Sequence, residues 1–516
     1  MSDSLYTIGD LLRRGASESE PRPGIGWPKE QDPSEVDAYT VKDIHQHVRA
    51  AVASLQATGL PSIIEDSPAV VALFGPANIE WVVTFFAISD LGYTVFLVSP
   101  RLQAAALTAL LEKADCSIIF YAISTAAVAR TVQERRKIKL LPFTPLEKLD
   151  STSSTVADGT MHDAQHTDRT AVIWHSSGST GLPKLFPMSH REILGRVLLT
   201  TRVDFITSAP YNSAGMTFLL YSLRNDTITY YWNESLPYTC DNLARFVERI
   251  KPQRIALNPY ALKSLAETQR GIDTLKLCPS VSSFGSPCPK QLGDKLVQQQ
   301  GVNLTSGILM AYSRELGDTV WDYLAPLPHT EKYIWMKPVE DHHCECVVLE
   351  GAPGCSISNS DNPPGSYHTK NLFVAHETMA NRWRFVGRLD DRFPMANAEN
   401  VLPLDIELNV AKEPLVKEAV VFGVGRPVLG ILAFRSETAK NMDDQEFVSA
   451  IWPSIEEMNS HTSPTAQVSP QMVVPVAADR TYPQTDKGTF IRRRVYEEFE
   501  LEIKQAYTRL EQGLGT

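Results

Sequence analysis

Cysteine is scarce in this chain. Seven occur in 516 residues, at positions 116, 240, 278, 288, 344, 346 and 355. So few and scattered a set does not make a disulfide framework, and a reducing, cytoplasmic setting is expected. An excess of cations is also lacking: 49 Lys and Arg stand against 60 Asp and Glu, a formal net charge of −11. That balance offers no global positive field for a nucleic acid or an anionic membrane, so any anion must be met by a local site. No long uninterrupted apolar run occurs either. Residues 69–99, the most apolar stretch, are broken by Gly75, Pro76, Asn78, Glu80, Asp90 and Gly92 and read as buried strand and helix, not a membrane span. Met1 is followed by polar and acidic residues in place of a basic stretch and an apolar run, so no secretory signal is expected.

What is present is an ordinary globular composition, 43% hydrophobic and 21% charged, in a chain long enough to require at least two domains. Residues 17–34 are rich in Pro, Gly and Glu, and residues 150–168 in Ser, Thr and Asp; both are expected to be loops or mobile linkers. Between them, apolar runs at 69–74, 94–98 and 117–121 alternate with helix-like segments at 79–89 and 102–112. That order implies parallel βαβ units. The alternation resumes with strands at 171–174, 254–257 and 281–284 and an amphipathic stretch at 191–201. After Gly387 come a helix at 404–411, strands at 419–424 and 429–434, and one long final helix. In that helix Ile491, Val495, Phe499, Ile503 and Tyr507 recur every four residues as an apolar stripe. The expected fold is α/β: a large doubly wound N-terminal body, 1–388, and a small mobile α+β C-terminal lid, 389–516.

The densest chemical signal is HSSGSTGLPK at 175–184, between a predicted strand and a predicted helix. Glycines let backbone N–H groups close around an anion, hydroxyls add donors, and a lysine brings charge to the rim; this is phosphate-cradle chemistry. It is not a Walker loop, which needs Gly directly before Lys and a hydroxyl after it, whereas Pro183 and Leu185 flank Lys184. Nor does its spacing fit the GxSxG nucleophile elbow.

The string resembles the phosphate loop of the adenylate-forming superfamily, which includes acyl- and aryl-CoA ligases and peptide-synthetase adenylation domains. Further landmarks follow in that family's order: SFGSP at 283–287, AYSRELG at 311–317, WRFVGRLD at 383–390 and PQTDKG at 483–488. The wording is most similar to adenylation domains of fungal synthetase-like enzymes, many of them carboxylic acid reductases. The resemblance implies ATP or AMP contacts from Ser176, Ser177, Gly178, Ser179, Thr180, Gly181, Lys184, Gly285, Ser286, Pro287, Tyr312, Arg314, Asn371 and Arg388. It also implies Mg²⁺ at Glu315, catalysis by Lys487, Glu315 and Arg388, and a hinge at Asp390. Joining a carboxylate to ATP brings two anions together, and a swinging Lys487 and a forked Arg388 are suited to offset that repulsion.

Four positions depart from the family wording. Asn371 stands where an Asp accepts from both ribose hydroxyls, Arg314 where Thr is usual, Ala398 where a glycine lies near the phosphopantetheine entrance, and Asn212 where relatives carry His. Tyr211, Asn212, Ser213, Gly215, Met216 and Phe284 are the candidate acid pocket. Relatives that activate amino acids place an Asp after the aromatic-Gly segment, and GMTFLL at 215–220 has no carboxylate to hold an α-ammonium. An aryl acid without an α-amine is therefore expected, activated to acyl-AMP with pyrophosphate release and passed to a carrier phosphopantetheine thiol. The partners implied are the small acid, a carrier domain and a reductase domain, with no nucleic acid and no membrane. Two alternatives stand beside it: a ligase using free CoA, and a degenerate fold that binds nucleotide or a partner without turnover. The cluster His342, His343, Cys344, Cys346 and Cys355 looks zinc-like, but the segment after Cys346 reads as a strand and no second C-x-x-C follows. The basic run ERRKIK at 134–139 lacks interleaved aromatics and reads as a solvated helix end.

Overall fold

The computed structural model describes residues 5–60, 69–149, 166–175, 184–285, 287–307, 312–313, 320–339, 342–396, 400–460, 467–484 and 490–513. Two compact units divide the chain: Met1–Phe284 with Ile308–Ala311 and Gly351–Ser356, and Gly285–Gly307 with Tyr312–Glu350 and Ile357–Thr516.

In the first unit the short apolar runs become strands because both of their faces are covered. Thr94–Val98 is buried at every position, and Val70–Phe74 at all but its first. Such continuous burial is the mark of a parallel sheet sandwiched by helices. The sheet runs Lys139–Pro142, Ile118–Tyr121, Val70–Phe74, Thr94–Val98, Thr170–His175, Leu185–Ser189; the first five are parallel and the last antiparallel. The helix Ile79–Asp90 between two of its strands begins where Asn78 Oδ1 accepts the Trp81 N–H. It ends at Leu91, beside Gly92 at φ +89°.

A second sheet of this unit places Ser280–Phe284, Arg254–Leu257, Phe205–Ile206, Thr229–Tyr231 and Pro23–Pro28 side by side in parallel, with Val36–Thr40 antiparallel at the edge. Pro23–Pro28 corrects the sequence reading, which took 17–34 as a loop or mobile linker. Ile25 and Trp27 are core residues. The glycines that alternate with them are required by close approach: a Cβ on Gly24 would lie 2.7 Å from the Tyr39 carbonyl oxygen, and one on Gly26 2.7 Å from the Tyr230 ring. Of the second expected linker, residues 150–165 lie outside the described residues.

The second unit carries an antiparallel sheet in the order Ile334–Pro338, His343–Val348, Tyr367–Ala375, Trp383–Arg388. It also carries a smaller sheet of Val416–Phe422, Leu429–Arg435 and Val468–Val476. The helices Pro403–Val410, Asp444–Ser460, Arg492–Glu498 and Glu500–Gly513 surround a separate apolar core drawn from residues between Phe393 and Tyr507. The expected single final helix is two, broken at Phe499, whose φ −105° and ψ 24° leave the helical region. Val495, Phe499 and Tyr507 of the expected stripe are buried in that core nonetheless. Among the described residues no helix is long and apolar enough to cross a membrane.

The first helix, Ile8–Ala16, is tied to the first unit by a histidine. The buried His190 Nδ1 accepts the Ile8 N–H at 3.2 Å, one of the donors a helix start leaves unpaired. Burial pushes the His190 pKa down to about 4; Asp10 opposes this, while His166, Arg169 and Arg13 add to it. Protonation would remove the acceptor and set a cation at a helix N-terminus. Between pH 6.5 and 4 the unfolded chain binds the proton that the native chain refuses, so stability falls with acidification in that window. The expected loss is about 2 kcal/mol on going from pH 7.5 to 5. His190→Asn, which keeps an acceptor and cannot titrate, should flatten this slope in melting curves taken across the window; an unchanged slope would assign the acid sensitivity elsewhere.

Candidate active site

In parallel α/β sheets the groups that meet ligands gather at the carboxyl ends of strands. His175 closes the strand Thr170–His175 at the mouth of the glycine-rich loop, and its Nε2 accepts the Ser99 N–H at 3.2 Å. Its ring is also edge-on to Phe96. Ser176, Ser177, Gly178, Ser179, Thr180 and Gly181 lie outside the described residues. Lys184 is exposed immediately before the strand Leu185–Ser189.

Tyr211 follows the strand Phe205–Ile206 and is buried. Asn212 is the residue before the helix Ser213–Arg224 and makes no side-chain cap bond. Ser213 Oγ accepts from Arg196 Nη1 at 2.9 Å, and Arg196 Nε donates to the Gly354 carbonyl at 3.3 Å. Met216 is fully buried in the core, with Phe284 packed against the same cluster. A Cβ on Gly215 would lie 2.1 Å from the Ala209 carbonyl oxygen, so the helix start approaches the preceding chain as only glycine permits. Of the six candidate pocket residues, then, Tyr211, Asn212 and Ser213 gather at one helix start. Met216 and Gly215 are committed to packing.

Sequence reasoning missed Glu234, which follows the strand Thr229–Tyr231. Its Oε1 accepts the Tyr211 hydroxyl at 2.5 Å and its Oε2 the Ala77 N–H at 3.2 Å, while Arg101 Nη2 stands 3.8 Å away. Ala77 and Arg101 follow the ends of the strands Val70–Phe74 and Thr94–Val98, so chain ends from both sheets converge on one carboxylate. Glu234 also borders a cleft of about 300 Å³ lined with Trp27, Tyr39, Asn78 and Asn233. Nothing in the local sequence around 234 announces this; only the sheet order brings it to Tyr211.

In the second unit, Gly285 takes φ +90°, a conformation suited to glycine. Ser286, Arg314, Glu315, Ala398 and Lys487 lie outside the described residues, and Pro287 lies in a stretch without regular secondary structure. Tyr312 lies in a two-residue strand paired with Ala325–Pro326. Asn371 and Arg388 are direct partners across the adjacent strands Tyr367–Ala375 and Trp383–Arg388. Arg388 forks onto Asp390, Nε to Oδ1 at 2.8 Å and Nη2 to Oδ2 at 2.9 Å. These bonds hold the Asp390 carboxyl below the usual carboxylate range, whereas burial pushes its neighbour Asp391 up. Lys370 Nζ is 4.0 Å from Asp390, and its backbone, at φ +61°, donates to the buried Glu345 at 3.0 Å. Lys370 and Glu345 are further additions. A cation beside Asn371 was visible in the motif, but the carboxylate beneath it is 25 residues distant in sequence. Among the described residues no group of His, Cys, Asp and Glu is arranged to hold a metal.

A large α/β body and a smaller C-terminal sheet domain make a fold of the adenylate-forming class. The profile of the AMP-binding enzyme matches residues 28–311, more than half of the chain, and that of the AMP-binding enzyme C-terminal domain matches residues 390–511. The chain belongs to the AMP-binding enzyme family. The adenylate-forming reductase Nps11 of Serpula lacrymans var. lacrymans is 26% identical over 472 residues, which are 81% of this chain and 42% of that protein. The carboxylic acid reductase of Neurospora crassa is 22% identical over 552 residues, 99% of this chain and 51% of that protein. The chain spans about half the length of the curated relatives it matches. Among solved structures, the adenylation domain of a carboxylate reductase from Mycobacterium chelonae overlays with a TM-score of 0.71 at 14% identity, covering 98% of this chain and 92% of that one. The fold is shared with it.

Proposed function

We propose that this chain is the acid-activating part of a reductase-like enzyme: a carboxylate and ATP give acyl-AMP and pyrophosphate, and the acyl group then passes to the phosphopantetheine thiol of a carrier domain. Reduction would belong to a further domain. The names of the two reductase relatives support this reading, and the observation that carries it is the pairing of Asn371 with Arg388, two residues before Asp390.

In this reading Asn371 and Arg388 receive the ribose and phosphate oxygens. An amide oxygen is a weaker acceptor than the carboxylate usual at that place, a loss of about 1 to 2 kcal/mol. Arg388 cannot give the same N–H donors fully to Asp390 and to a nucleotide. Nucleotide binding therefore loosens the grip on Asp390, the residue proposed as the hinge of the 389–516 lid. Ser176 to Gly181 and Lys184 would cradle the phosphates, with Gly285, Ser286, Pro287, Tyr312 and Arg314 completing the nucleotide contacts. Mg²⁺ at Glu315 would supply a hard cation against the triphosphate charge. Tyr211, Asn212 and Ser213 face the acid, and no carboxylate follows the helix start in sequence to hold an α-ammonium, which favours an aryl acid.

Pyrophosphate release, measured with benzoic, aliphatic and amino acids, tests this. Release with aryl acids alone is the expected result, and silence with every acid would leave a nucleotide-binding fold without turnover. Offering free CoA against a phosphopantetheinylated carrier then separates a CoA ligase from the carrier-loading enzyme proposed.

A further inference from the structure

We propose that Glu345 is a positioning residue for the nucleotide: its buried side chain holds a strand bulge at 369–371 in shape and so sets the aim of Asn371 at the ribose. The inference rests on the reading above in which Asn371 accepts from a ribose hydroxyl, and adds the residue that controls that contact.

The strand Tyr367–Ala375 is interrupted on the side of His343–Val348. His368 pairs with Val347 and Leu372 with Glu345, so Thr369, Lys370 and Asn371 stand against Cys346 alone. Across its other edge Asn371 still pairs with Arg388 and Leu372 with Gly387. Residues bulged out of a ladder need other partners for their N–H groups. Side chains supply them here. Thr369 Oγ1 donates to the Cys346 carbonyl at 2.6 Å and accepts the Asn371 N–H at 3.1 Å. The Lys370 N–H goes to Glu345 Oε1 at 3.0 Å.

At φ +61° Lys370 is in the left-handed region, which a residue with a side chain enters at a cost and keeps only where its surroundings hold it. Glu345 is placed to do so. Its side chain is 4% exposed, and its Oε2 lies 2.9 Å from His368 Nδ1, whose ring is fixed in turn by Nε2 at 3.2 Å from the Asn362 carbonyl. One carboxylate thus grips the bulge at its approach, residue 368, and at its apex, residue 370. A strand that gives up one bulged residue turns the side chains beyond it to the opposite face. Without an acceptor at 345 the backbone of Lys370 is released, and Asn371, the next residue, loses its fixed direction beside Arg388.

The experiment measures equilibrium binding of Mg·ATP, 2′-deoxy-ATP and 3′-deoxy-ATP by calorimetry, and needs no acid. In the wild type, loss of the hydroxyl that Asn371 accepts should weaken binding about tenfold. In Glu345→Ala the affinity for ATP should fall until that ratio is below about threefold, with the deoxy analogue little changed. Glu345→Gln should keep the wild-type ratio. Its amide oxygen serves the Lys370 N–H, and its NH₂ donates to His368 Nδ1 while the Nε2 N–H faces the Asn362 carbonyl. Damage to packing alone would lower all three affinities together and leave their ratio unmoved. A melting curve accompanies each variant. Should Glu345→Ala not fold, Glu345→Asp, one methylene short of the Lys370 N–H, takes its place with the same expected fall. A wild-type ratio in the folded Ala or Asp variant, or its loss in Glu345→Gln, overturns the role of Glu345 and leaves Asn371 at the ribose. Equal binding of all three nucleotides by the wild type overturns both. Pyrophosphate release is a separate measurement, so silence with every acid would remove the acid-activating reading and leave this one standing.

Discussion

Replacing Lys487 with alanine is expected to slow acid-dependent pyrophosphate release by about three decades, with the fold kept. The step joins two anions, so the cation that reaches the carboxylate and α-phosphate is needed more in the transition state than in either ground state. At about 4 Å and an effective dielectric near 20, one such charge is worth roughly 4 kcal/mol before desolvation, which is about three decades in rate. The loss should therefore appear in kcat, with KM for ATP and acid little changed, because both ligands would still be held by the groups assigned to them. Steady-state pyrophosphate release with a matched melting curve checks it. A folded variant that keeps more than about a tenth of the wild-type rate would remove Lys487 from the mechanism.

How the sequence and the fold correspond can be followed element by element. The parallel strands of the first unit were legible because covering both faces of a strand leaves an apolar run that polar sequence cannot imitate; Thr94–Val98 is found at the expected bounds. Pro23–Pro28 was illegible for the opposite reason. Its two glycines are selected by the neighbouring carbonyl and ring, not by apolarity, and composition rules read them as a turn. The final apolar stripe was read correctly as a buried face but wrongly as one rod. A repeat of four drifts against the 3.6-residue turn, and the chain restores the face by breaking at Phe499. At the candidate site, Arg388 and Asp390 were legible within one motif because they are neighbours in sequence, and Asn371 within another; that the two segments pair across adjacent strands is seen only in the fold. Glu234 was not legible, since its meeting with Tyr211 and Ala77 depends on two sheets ending at the same place. The same holds for Glu345 beneath Lys370.

Glu407 is the third such long-range carboxylate, and its removal or orphaning has the largest stability effect expected here. It lies on the helix Pro403–Val410 with its side chain 2% exposed. Arg492 forks onto it, Nη1 to Oε1 and Nη2 to Oε2 at 2.8 Å, and the same Oε1 accepts the Val421 N–H at 2.8 Å. Arg492 Nη1 and the Tyr496 hydroxyl both donate to the Val421 carbonyl, at 3.1 and 2.6 Å. One helix, one strand and the first of the last two helices are thus fastened at a single point. Arg492→Met leaves a buried carboxylate without its counter-charge and should cost about 3 to 5 kcal/mol. Adding Glu407→Gln removes the orphaned charge while an amide oxygen still accepts from Val421, so the double variant should be more stable than Arg492→Met alone by about 2 kcal/mol or more. Urea unfolding of the three proteins measures this; a double variant no more stable than the single one would show that the charge is not what the pair stabilises. The consequence reaches the chemistry through the chain itself. Just before Arg492, the Ile491 N–H donates to the Pro483 carbonyl at 2.8 Å and Gln484 bridges Phe490, so the described residues on either side of 485–489 are tied together next to this ion pair in sequence. Loosening the pair is expected to loosen that tie between Pro483 and Ile491. The Glu407→Gln, Arg492→Met double variant should accordingly recover stability ahead of kcat, and simultaneous recovery of both would confine the pair to a purely structural role.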